Sequence, residues 1–198
     1  MFITFEGLDG SGKSTQAELL AEAIRGTGRE VVTTREPGGT PLGEQIRDVL
    51  LRGDEVSPWA EAALFAAARA QLVERVIEPA LDRGAVVICD RYLDSSLAYQ
   101  GLARGLGADR VLELNLPAIH GHLPDRTYLL LIDPAEAARR VGGDGDRIES
   151  EDEEFRRKVD EAYRELAETF PQRIEAVDGT PPAEEISKVI YDHIRERL

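Results

Sequence analysis

Near its amino terminus the sequence reads Gly7-Leu8-Asp9-Gly10-Ser11-Gly12-Lys13-Ser14, which fits the pattern G-x-x-x-x-G-K-[ST]. Glycines in this pattern let successive backbone N–H groups turn inward around a phosphate. The apolar run at residues 2–6 predicts a strand before the loop, and helical spacing over residues 13–26 predicts a helix after it. Strand, loop and helix together predict a phosphate-binding loop, with Lys13 reaching the outer phosphates and the Ser14 hydroxyl available to Mg²⁺.

Strand and helix patterns alternate along the rest of the chain. Strands are predicted at 2–6, from 31 to the turn at 37–39, and at 85–89, 128–132 and 174–177. Helices are predicted at 13–26, 42–51, 58–84 with a bend at Pro79, on both sides of Pro117, and at 134–141, 151–169 and 183–197. This alternation predicts an α/β fold of the phosphate-loop NTPase type, in which helices cover both faces of a mainly parallel five-stranded sheet. We expect one domain, residues 1–198, with a short lid at about 139–150.

Composition narrows the range of partners. The chain of 198 residues has 38 acidic and 24 basic side chains, for a formal net charge of −14. A surface this negative repels nucleic-acid backbones and anionic membranes, so neither is expected as a partner. The single cysteine, Cys89, excludes an internal disulfide and a multi-cysteine metal site. Because Met1 leads directly into a predicted strand, we expect no secretory signal and a cytoplasmic location.

Basic residues near strand and helix ends suggest which phosphate chemistry the loop serves. The chain has no Asn-Lys-x-Asp guanine reader of switch GTPases, and a remodelling ATPase usually needs a larger body. Transfer of a phosphoryl group between two anionic substrates needs cations that offset their repulsion. Lys13, Arg35, Arg47 and Arg91 could focus positive potential in one cleft of this acidic protein.

Further segments follow the predicted strands or lie on the helices after them, where ligands of open α/β sheets bind. They are Arg35-Glu36-Pro37-Gly38-Gly39-Thr40, Leu64–Gln71, Asp90-Arg91-Tyr92, Ser95–Gln100 and Asp146-Arg147-Ile148-Glu149. With the phosphate loop, these segments resemble the thymidylate kinase family from residue 2 to about residue 170. The resemblance implies a homodimeric nucleoside monophosphate kinase that converts dTMP to dTDP for dTTP synthesis, with ATP as donor and Mg²⁺ as cofactor.

Phe65 and Arg69 lie four residues apart on a predicted helix and therefore share one face. Taken alone, the pair favours an ordinary core ring at Phe65 and a surface charge at Arg69, and only the surrounding resemblance reverses that interpretation. The resemblance implies that the Phe65 ring stacks on the pyrimidine and that Arg69 donates to its O4 carbonyl. Cytosine carries an amino donor at that position and would face a second donor, so this arrangement favours thymine.

The resemblance implies further acceptor contacts. Arg91, with Arg35 and Arg47, would hold the acceptor phosphate through guanidinium forks. Asp9 would receive the 3′-hydroxyl or a magnesium-bound water, and Tyr99 would crowd the ribose 2′ position. The full acceptor set implied by the resemblance is Asp9, Arg35, Glu36, Arg47, Phe65, Arg69, Arg91, Ser96, Tyr99 and Gln100, with Ser96 and Gln100 near the thymine edge.

The donor side of the site centres on the loop itself. ATP binding is assigned to Gly7, Leu8, Asp9, Gly10, Ser11, Gly12, Lys13, Ser14, Thr15 and Arg139. Asp90 ends a buried strand, the position at which phosphate-loop proteins keep the acidic residue on the magnesium side. The predicted metal-side residues are therefore Ser14, Asp90 and Asp9.

The glycine-rich break at residues 142–145, flanked by Arg139, Arg140 and Arg147, suits a mobile lid that carries cations. Members of the resembled family supply a transition-state arginine from the loop or from the lid. Because the loop position in question is Gly10, we expect the lid to supply it, with Arg147 as first choice and Arg140 as second. The predicted catalytic residues are then Lys13, Arg91, Arg147 and Arg140; an acidic surface loop is the alternative for residues 142–146.

Two other functions stay open from the residues alone. One is a kinase for another pyrimidine nucleotide or a nucleoside, which Arg69 and the three phosphate-site arginines disfavour. The other is a regulatory phosphate-loop module that binds ATP without a small-molecule acceptor. Such a module predicts slow hydrolysis that does not respond to nucleoside monophosphates.

Overall fold

The computed structural model describes residues 1–142, 146–148 and 151–198. Its centre is a five-stranded sheet in which every neighbouring pair is parallel, in the order β2-β3-β1-β4-β5. The strands are β1 (Phe2–Glu6), β2 (Val31–Arg35), β3 (Val86–Asp90), β4 (Arg126–Leu131) and β5 (Ile174–Asp178). This confirms the predicted α/β fold, since parallel strands require crossover connections through helices.

Helices cover both faces of the sheet. They are α1 (Lys13–Arg25), α2 (Pro41–Arg52), α3 (Pro58–Leu72), α4 (Glu78–Asp82), α5 (Leu93–Ser96), α6 (Ala108–Ile119), α7 (Pro134–Val141), α8 (Glu153–Thr169) and α9 (Ala183–Ile194). Two π-helical segments, Val73–Ile77 and Leu97–Ala103, extend α3 and α5. The helices α1 and α9 pack over one apolar cluster, and α3, α6 and α8 pack over another on the opposite face.

The alternation of side chains along β1 separates these two clusters. Ile3 and Phe5 belong to the cluster under α1 and α9, whereas Phe2 belongs to the cluster under α3 and α8. Successive side chains of a strand point to opposite faces. Thr4 and Glu6 therefore share the face of Phe2, and Glu6, at the end of β1, is directed towards the α3 and α8 side although it is fully buried.

Two prolines alter the predicted helices. The helix predicted over 58–84 is divided by the π-helical turn Val73–Ile77, just before Pro79, whose missing N–H and bulky ring disturb regular helical bonding. The helical stretches predicted on both sides of Pro117 form one helix, because Pro117 lies inside the last turns of α6. That helix ends at Ile119, and His120 follows in the left-handed conformation with φ 48°.

The carboxyl ends of β2, β3 and β1 meet at one edge of the sheet. In the strand register, Phe5 is opposite Asp90, and Asp90 is opposite Arg35. The backbone N–H of Arg91 donates to the Phe5 carbonyl at 2.9 Å, and that of Glu36 donates to the Asp90 carbonyl at 2.9 Å. The loops after these strands are thereby fixed side by side, at the edge where α/β sheets bind ligands. Within the described ranges, no helix has both the length and the apolar composition needed to cross a bilayer.

Candidate active site

The phosphate loop occupies the turn between β1 and α1 and has the backbone that its glycines predict. At Gly7 the φ angle is +136°, and a Cβ would lie 2.5 Å from the Leu130 carbonyl oxygen. At Gly10 the φ angle is +82°, and a Cβ would lie 2.3 Å from the Ala137 carbonyl oxygen of α7. Neither position accommodates a side chain, so the loop can lie close to both β4 and α7.

Lys13 is folded back into this loop. Its Nζ atom donates to the Leu8 carbonyl at 2.8 Å and lies 3.8 Å from Asp9 Oδ1. Burial and the nearby Arg91 cation lower the pKa of Lys13, while the carboxylates of Asp9, Asp90 and Glu6 oppose that shift. The surrounding cavity encloses about 900 Å³ of space, partly open to solvent. Its lining residues are Asp9, Gly10, Gly12, Lys13, Ser14, Thr15, Arg35, Glu36, Arg47, Asp90, Arg91 and Arg140.

Ser14 and Asp90 place two oxygens side by side at the edge of this cavity. The Ser14 hydroxyl donates to Asp90 Oδ2 at 2.5 Å. The residues described by the structure contain no group of three or more His, Cys, Asp or Glu side chains arranged around a metal position. Two hard oxygens at a phosphate loop suit a divalent cation that takes most of its ligands from phosphates and water.

Asp9 and Arg91 form an ion pair between the phosphate loop and the end of β3. The Arg91 Nη2 atom lies 2.5 Å from Asp9 Oδ1, and Arg91 adopts a positive φ of 69°. Burial acts to raise the pKa of Asp9, but the Arg91 and Lys13 cations outweigh it and hold that pKa well below its usual range. For Arg91, burial acts to lower the pKa and Asp9 raises it well above its ordinary value. Both side chains are therefore charged at neutral pH.

Several N–H groups of Arg91 are not taken up by this pair. Nη1 donates to Ser95 Oγ and to the Tyr163 hydroxyl, both at 3.1 Å. Nη2 makes only a long contact, 3.4 Å, with the Tyr99 hydroxyl besides its bond to Asp9. Nε donates to no residue in the described part of the chain. The guanidinium thus keeps donors on its Nε and Nη2 side, the geometry that grips a phosphate bidentately.

A second cavity adjoins the first on the side of α3 and the segment Leu97–Ala103. It encloses about 510 Å³, partly open to solvent. Of the predicted acceptor residues, this cavity is lined by Asp9, Glu36, Arg47, Phe65, Arg91, Ser96, Tyr99 and Gln100. Lining residues that were not assigned a role from the sequence are Pro37, Leu51, Ser95, Asp146 and Ile148. The two cavities share four residues: Asp9, Glu36, Arg47 and Arg91.

Two polar side chains of this second cavity differ in their hydrogen bonding. Gln100 Nε2 donates to Glu61 Oε1 at 2.8 Å. Ser96 Oγ is buried and has no hydrogen-bond partner among the residues that the structure describes. A buried hydroxyl without a partner is costly, and in a ligand cavity it indicates a group that the ligand itself satisfies.

Arg69 does not line either cavity. It is 1% exposed, and its Nε and Nη2 atoms pair with the Glu36 carboxylate at 2.9 Å and 2.5 Å. Nη2 also donates to the Tyr92 carbonyl at 3.0 Å, and Nη1 donates to Asn115. Of its five N–H groups, one on Nη1 donates to no described residue. Arg69 therefore anchors Glu36, which reaches both cavities.

The other predicted arginines divide between the cavities and the surface. Arg47 Nη1 donates to the Pro37 carbonyl at 3.0 Å and lines both cavities. Arg35 lines the phosphate-loop cavity, and its Nη2 atom pairs with Glu44 at 3.0 Å. Arg139 is exposed and pairs with Glu136 on its own helix.

The structure places Arg140, and not Arg147, beside the phosphate loop. Arg140 lines that cavity and its Nη1 atom donates to the Gly179 carbonyl at 3.3 Å. Arg147 lines neither cavity; its Nη2 atom pairs with Glu61 at 2.6 Å and its Nε atom donates to the Leu50 carbonyl at 2.8 Å. In this structure Arg140 is the nearer of the two to the phosphate loop, and which of them acts in the transition state stays a prediction. The predicted lid positions 143–145, 149 and 150, which include Glu149 of the quoted motif, lie outside the described residues.

Comparison with known proteins identifies the family. The family model for thymidylate kinase matches residues 5–190. This chain belongs to the thymidylate kinase family. The thymidylate kinase of Leifsonia xyli subsp. xyli is 53% identical over 203 residues, covering 100% of this chain and 96% of that protein. That of Exiguobacterium sp. is 47% identical over 202 residues, covering 100% and 95%.

A solved structure agrees with the family assignment. The crystal structure of thymidylate kinase from Ehrlichia chaffeensis superposes with a TM-score of 0.81 at 33% identity, covering 98% of both chains. The chain is therefore an enzyme of the thymidylate kinase type, with the parallel sheet and phosphate loop of that family.

Sequence reasoning about this thymidylate kinase family member assigned no role to Glu6. Its Oε1 atom accepts the backbone N–H groups of Tyr92 and Ser95 at 2.8 Å and 3.2 Å. Burial, with help from Asp94, raises the pKa of Glu6 to about 7, although Arg91 and the hydrogen bonds act against that shift. The available signal was an acid that ends the otherwise largely apolar strand β1 directly before the phosphate loop.

The buried pair of Arg69 and Glu36 generates a stability prediction. Arg69→Met keeps the length of the side chain but leaves the Glu36 carboxylate buried without its cation. We expect the free energy of unfolding, measured by urea denaturation, to fall by about 3–5 kcal/mol. Arg52→Met is the control, because Arg52 pairs with Asp48 at 3.2 Å on the exposed surface and its loss should cost less than about 1 kcal/mol. Equal losses in the two variants would contradict this account of Arg69.

Proposed function

We propose that dTMP occupies the cavity around Phe65, that ATP lies over the phosphate loop, and that the phosphoryl group crosses between them beside Arg91. As a member of its family, the chain phosphorylates dTMP to dTDP in dTTP synthesis, with ATP as the donor. One observation carries the residue-level proposal: Asp9, Glu36, Arg47 and Arg91 line both cavities at once. Two anionic substrates that meet at this boundary share the same cations.

On the donor side, the loop N–H groups, the amino-terminal end of α1 and Lys13 would hold the phosphates of ATP. Lys13 Nζ would exchange the Leu8 carbonyl for a phosphate oxygen, a stronger partner for a buried cation. Thr15 lines the same cavity. Arg139, exposed on α7, would cover the adenine.

Mg²⁺ is the divalent cation that we propose for this site. Ser14 and Asp90 would hold it, because their oxygens adjoin the phosphate cavity. When bound, it would neutralise part of the charge on the outer phosphates of ATP. Asp9 would act on the acceptor side instead: Arg91 holds its Oδ1 atom, and Oδ2, which has only a 3.5 Å contact with the Tyr99 hydroxyl, would accept the 3′-hydroxyl of dTMP.

On the acceptor side, Phe65 would stack against thymine and Tyr99 would crowd the ribose 2′ position. Ser96 Oγ would bond the thymine edge beside Gln100, since its hydroxyl is buried and pairs with no residue in the described ranges. Arg69 lines neither cavity before dTMP binds, so it would reach the O4 carbonyl with its remaining N–H group only after dTMP displaces the side chains in front of it, while it continues to hold Glu36.

The transfer itself requires alignment and charge neutralisation, and no covalent enzyme intermediate. Arg91, through Nε and Nη2, and Arg47 would fix the acceptor phosphate, with Arg35 at the mouth of the phosphate cavity. Lys13 would neutralise the charge that develops on the transferred group. Arg140, carried on α7 next to the loop, would supply the transition-state arginine.

A homodimer and a cytoplasmic location complete the proposal. Trp59 on α3 and Leu116 on α6 are 40% and 53% exposed. These two helices pack against each other and carry apolar surface, which supports dimerisation through this pair of helices. A cytoplasmic location is the expectation made from the sequence.

A coupled assay of ADP release tests the substrate assignment across dTMP, dUMP, CMP, AMP and thymidine. We expect dTMP to give the highest kcat/KM, and CMP a value at least tenfold lower, because an amino group at position 4 opposes Arg69. Thymidine should be a poor acceptor, since it lacks the phosphate that Arg91 holds. Equal turnover of every acceptor, or slow hydrolysis that ignores all of them, would contradict the proposal and favour a regulatory module.

Ser96→Ala should change the affinity for dTMP without lowering the free energy of unfolding. Removing an unsatisfied buried hydroxyl should leave the free energy of unfolding unchanged or slightly higher. The Kd of dTMP, measured by calorimetry, should rise about fivefold, because the thymine edge loses a neutral hydrogen bond. Ser57→Ala, at the exposed start of α3 where the serine makes no capping bond, is the control and should change neither quantity. Unchanged dTMP affinity in Ser96→Ala would remove Ser96 from the acceptor site.

A further inference from the structure

Glu6 lies behind Arg91 and has no part in the binding contacts proposed for either nucleotide. It ends β1, is fully buried, and lines neither cavity. Its carboxylate is nevertheless joined to Arg91 through two hydroxyl groups, those of Ser95 and Tyr163. Ser95 belongs to α5 and Tyr163 to α8, so the carboxylate connects three separate elements at the edge of the acceptor cavity.

The two oxygens of Glu6 have different partners. Oε1 accepts the backbone N–H groups of Tyr92 and Ser95, which fix it at the start of α5. Oε2 accepts the Ser95 hydroxyl at 2.6 Å and the Tyr163 hydroxyl at 2.9 Å. In the ionised form, the carboxylate therefore has four donors and leaves neither oxygen unsatisfied.

The direction of the two hydroxyl hydrogens decides whether Arg91 Nη1 faces hydroxyl lone pairs or hydroxyl hydrogens. The Ser95 and Tyr163 hydroxyl oxygens also lie 2.9 Å from each other. Each hydroxyl has one hydrogen, and an ionised Glu6 draws both hydrogens to Oε2, because a carboxylate is a stronger acceptor than a neighbouring hydroxyl. The lone pairs of both oxygens then remain for Arg91 Nη1, which lies 3.1 Å from Ser95 Oγ and 3.1 Å from the Tyr163 hydroxyl. A hydroxyl hydrogen turned the other way would oppose an N–H group of the guanidinium.

We propose that Glu6 is a positioning residue for Arg91: by taking the hydroxyl hydrogens of Ser95 and Tyr163, it presents their lone pairs to Nη1 and aims the rest of the guanidinium at the acceptor phosphate. Asp9 fixes the Nη2 side of the same group. With both sides held, Nε and the second N–H of Nη2 point into the cavity already oriented. This inference rests on the proposed assignment of Arg91 to the acceptor phosphate.

The Kd values of dTMP and of thymidine, both measured by calorimetry, isolate the contribution of the phosphate contacts to binding. The ratio of the two Kd values reports the phosphate contacts, because the base and sugar are common to both ligands. Glu6→Gln keeps the shape of the side chain. Because Oε1 faces two backbone N–H groups, the amide nitrogen takes the place of Oε2 and donates to both hydroxyls, so both hydroxyl hydrogens must turn away from residue 6. We expect its Kd for dTMP to rise about tenfold, the loss typical of one charge-assisted hydrogen bond, and its Kd for thymidine to change less than twofold.

Tyr163→Phe supplies a second variant that does not alter the buried carboxylate. It keeps the ring and removes one of the two acceptors of Nη1, so the Kd for dTMP should rise about threefold with thymidine unchanged. Tyr128→Phe is the matched control, since the Tyr128 hydroxyl bonds the Ile190 carbonyl at 3.4 Å on the other face of the sheet. That variant should bind both ligands as the wild type does.

A purely structural role for Glu6 predicts different results. If Glu6→Gln raises the Kd of dTMP and the Kd of thymidine equally, or raises neither, the inference is overturned. In an Arg91→Met background, Glu6→Gln should cause no further loss of dTMP affinity, and an additive loss would also overturn it. If Glu6→Gln does not fold, Tyr163→Phe decides on the same criterion. A wild-type protein that binds thymidine as tightly as dTMP would instead refute the assignment of Arg91 in the proposed function, and this inference with it.

Discussion

The ion pair between Asp9 and Arg91 is the constraint on which the rest of the site depends. A guanidinium mostly removed from water needs a fixed anion, and Asp9 supplies one at 2.5 Å. Because the pair stands at the boundary of both cavities, it gives an acidic protein a local cation where two phosphates must meet. The formal net charge of −14 makes this local arrangement necessary, since the overall field repels both nucleotides.

The parallel sheet is what brings this pair together. Phe5 and Asp90 are register partners, so the loops that follow β1 and β3 leave the sheet side by side. Alternation along β1 then directs Glu6 to the same face, behind Arg91. The hydrogen bond from the Arg91 backbone to Phe5, at 2.9 Å, holds the residue close to β1 in a conformation with positive φ. Local strain at such a position is tolerated because the surrounding contacts over-determine it.

Local sequence patterns predicted most helices and strands and the phosphate loop. They did not predict which side chains distant in sequence would pair. The phosphate loop, the five strands and most helices follow from spacing within short windows, and the structure has them. Arg69 shows the limit: its burial depends on Glu36, which lies 33 positions away in sequence, and no local pattern reveals that partner. Arg147 is a second case: the sequence places it beside the glycine-rich break of the predicted lid, but its contact with Glu61 spans 86 positions and has no local signal. Glu6 was visible only as an acid in an apolar strand, because its role depends on hydroxyl groups from two distant helices.

A crystal structure with dTMP and a non-hydrolysable ATP analogue bound together would show whether Arg91 serves both phosphates. We expect the dTMP phosphate within about 3 Å of Arg91 Nε and Nη2, with thymine against Phe65 and the terminal phosphate of the analogue on the other side of the same guanidinium. A dTMP phosphate that avoids Arg91, or nucleotides bound without a shared cation between them, would contradict this expectation.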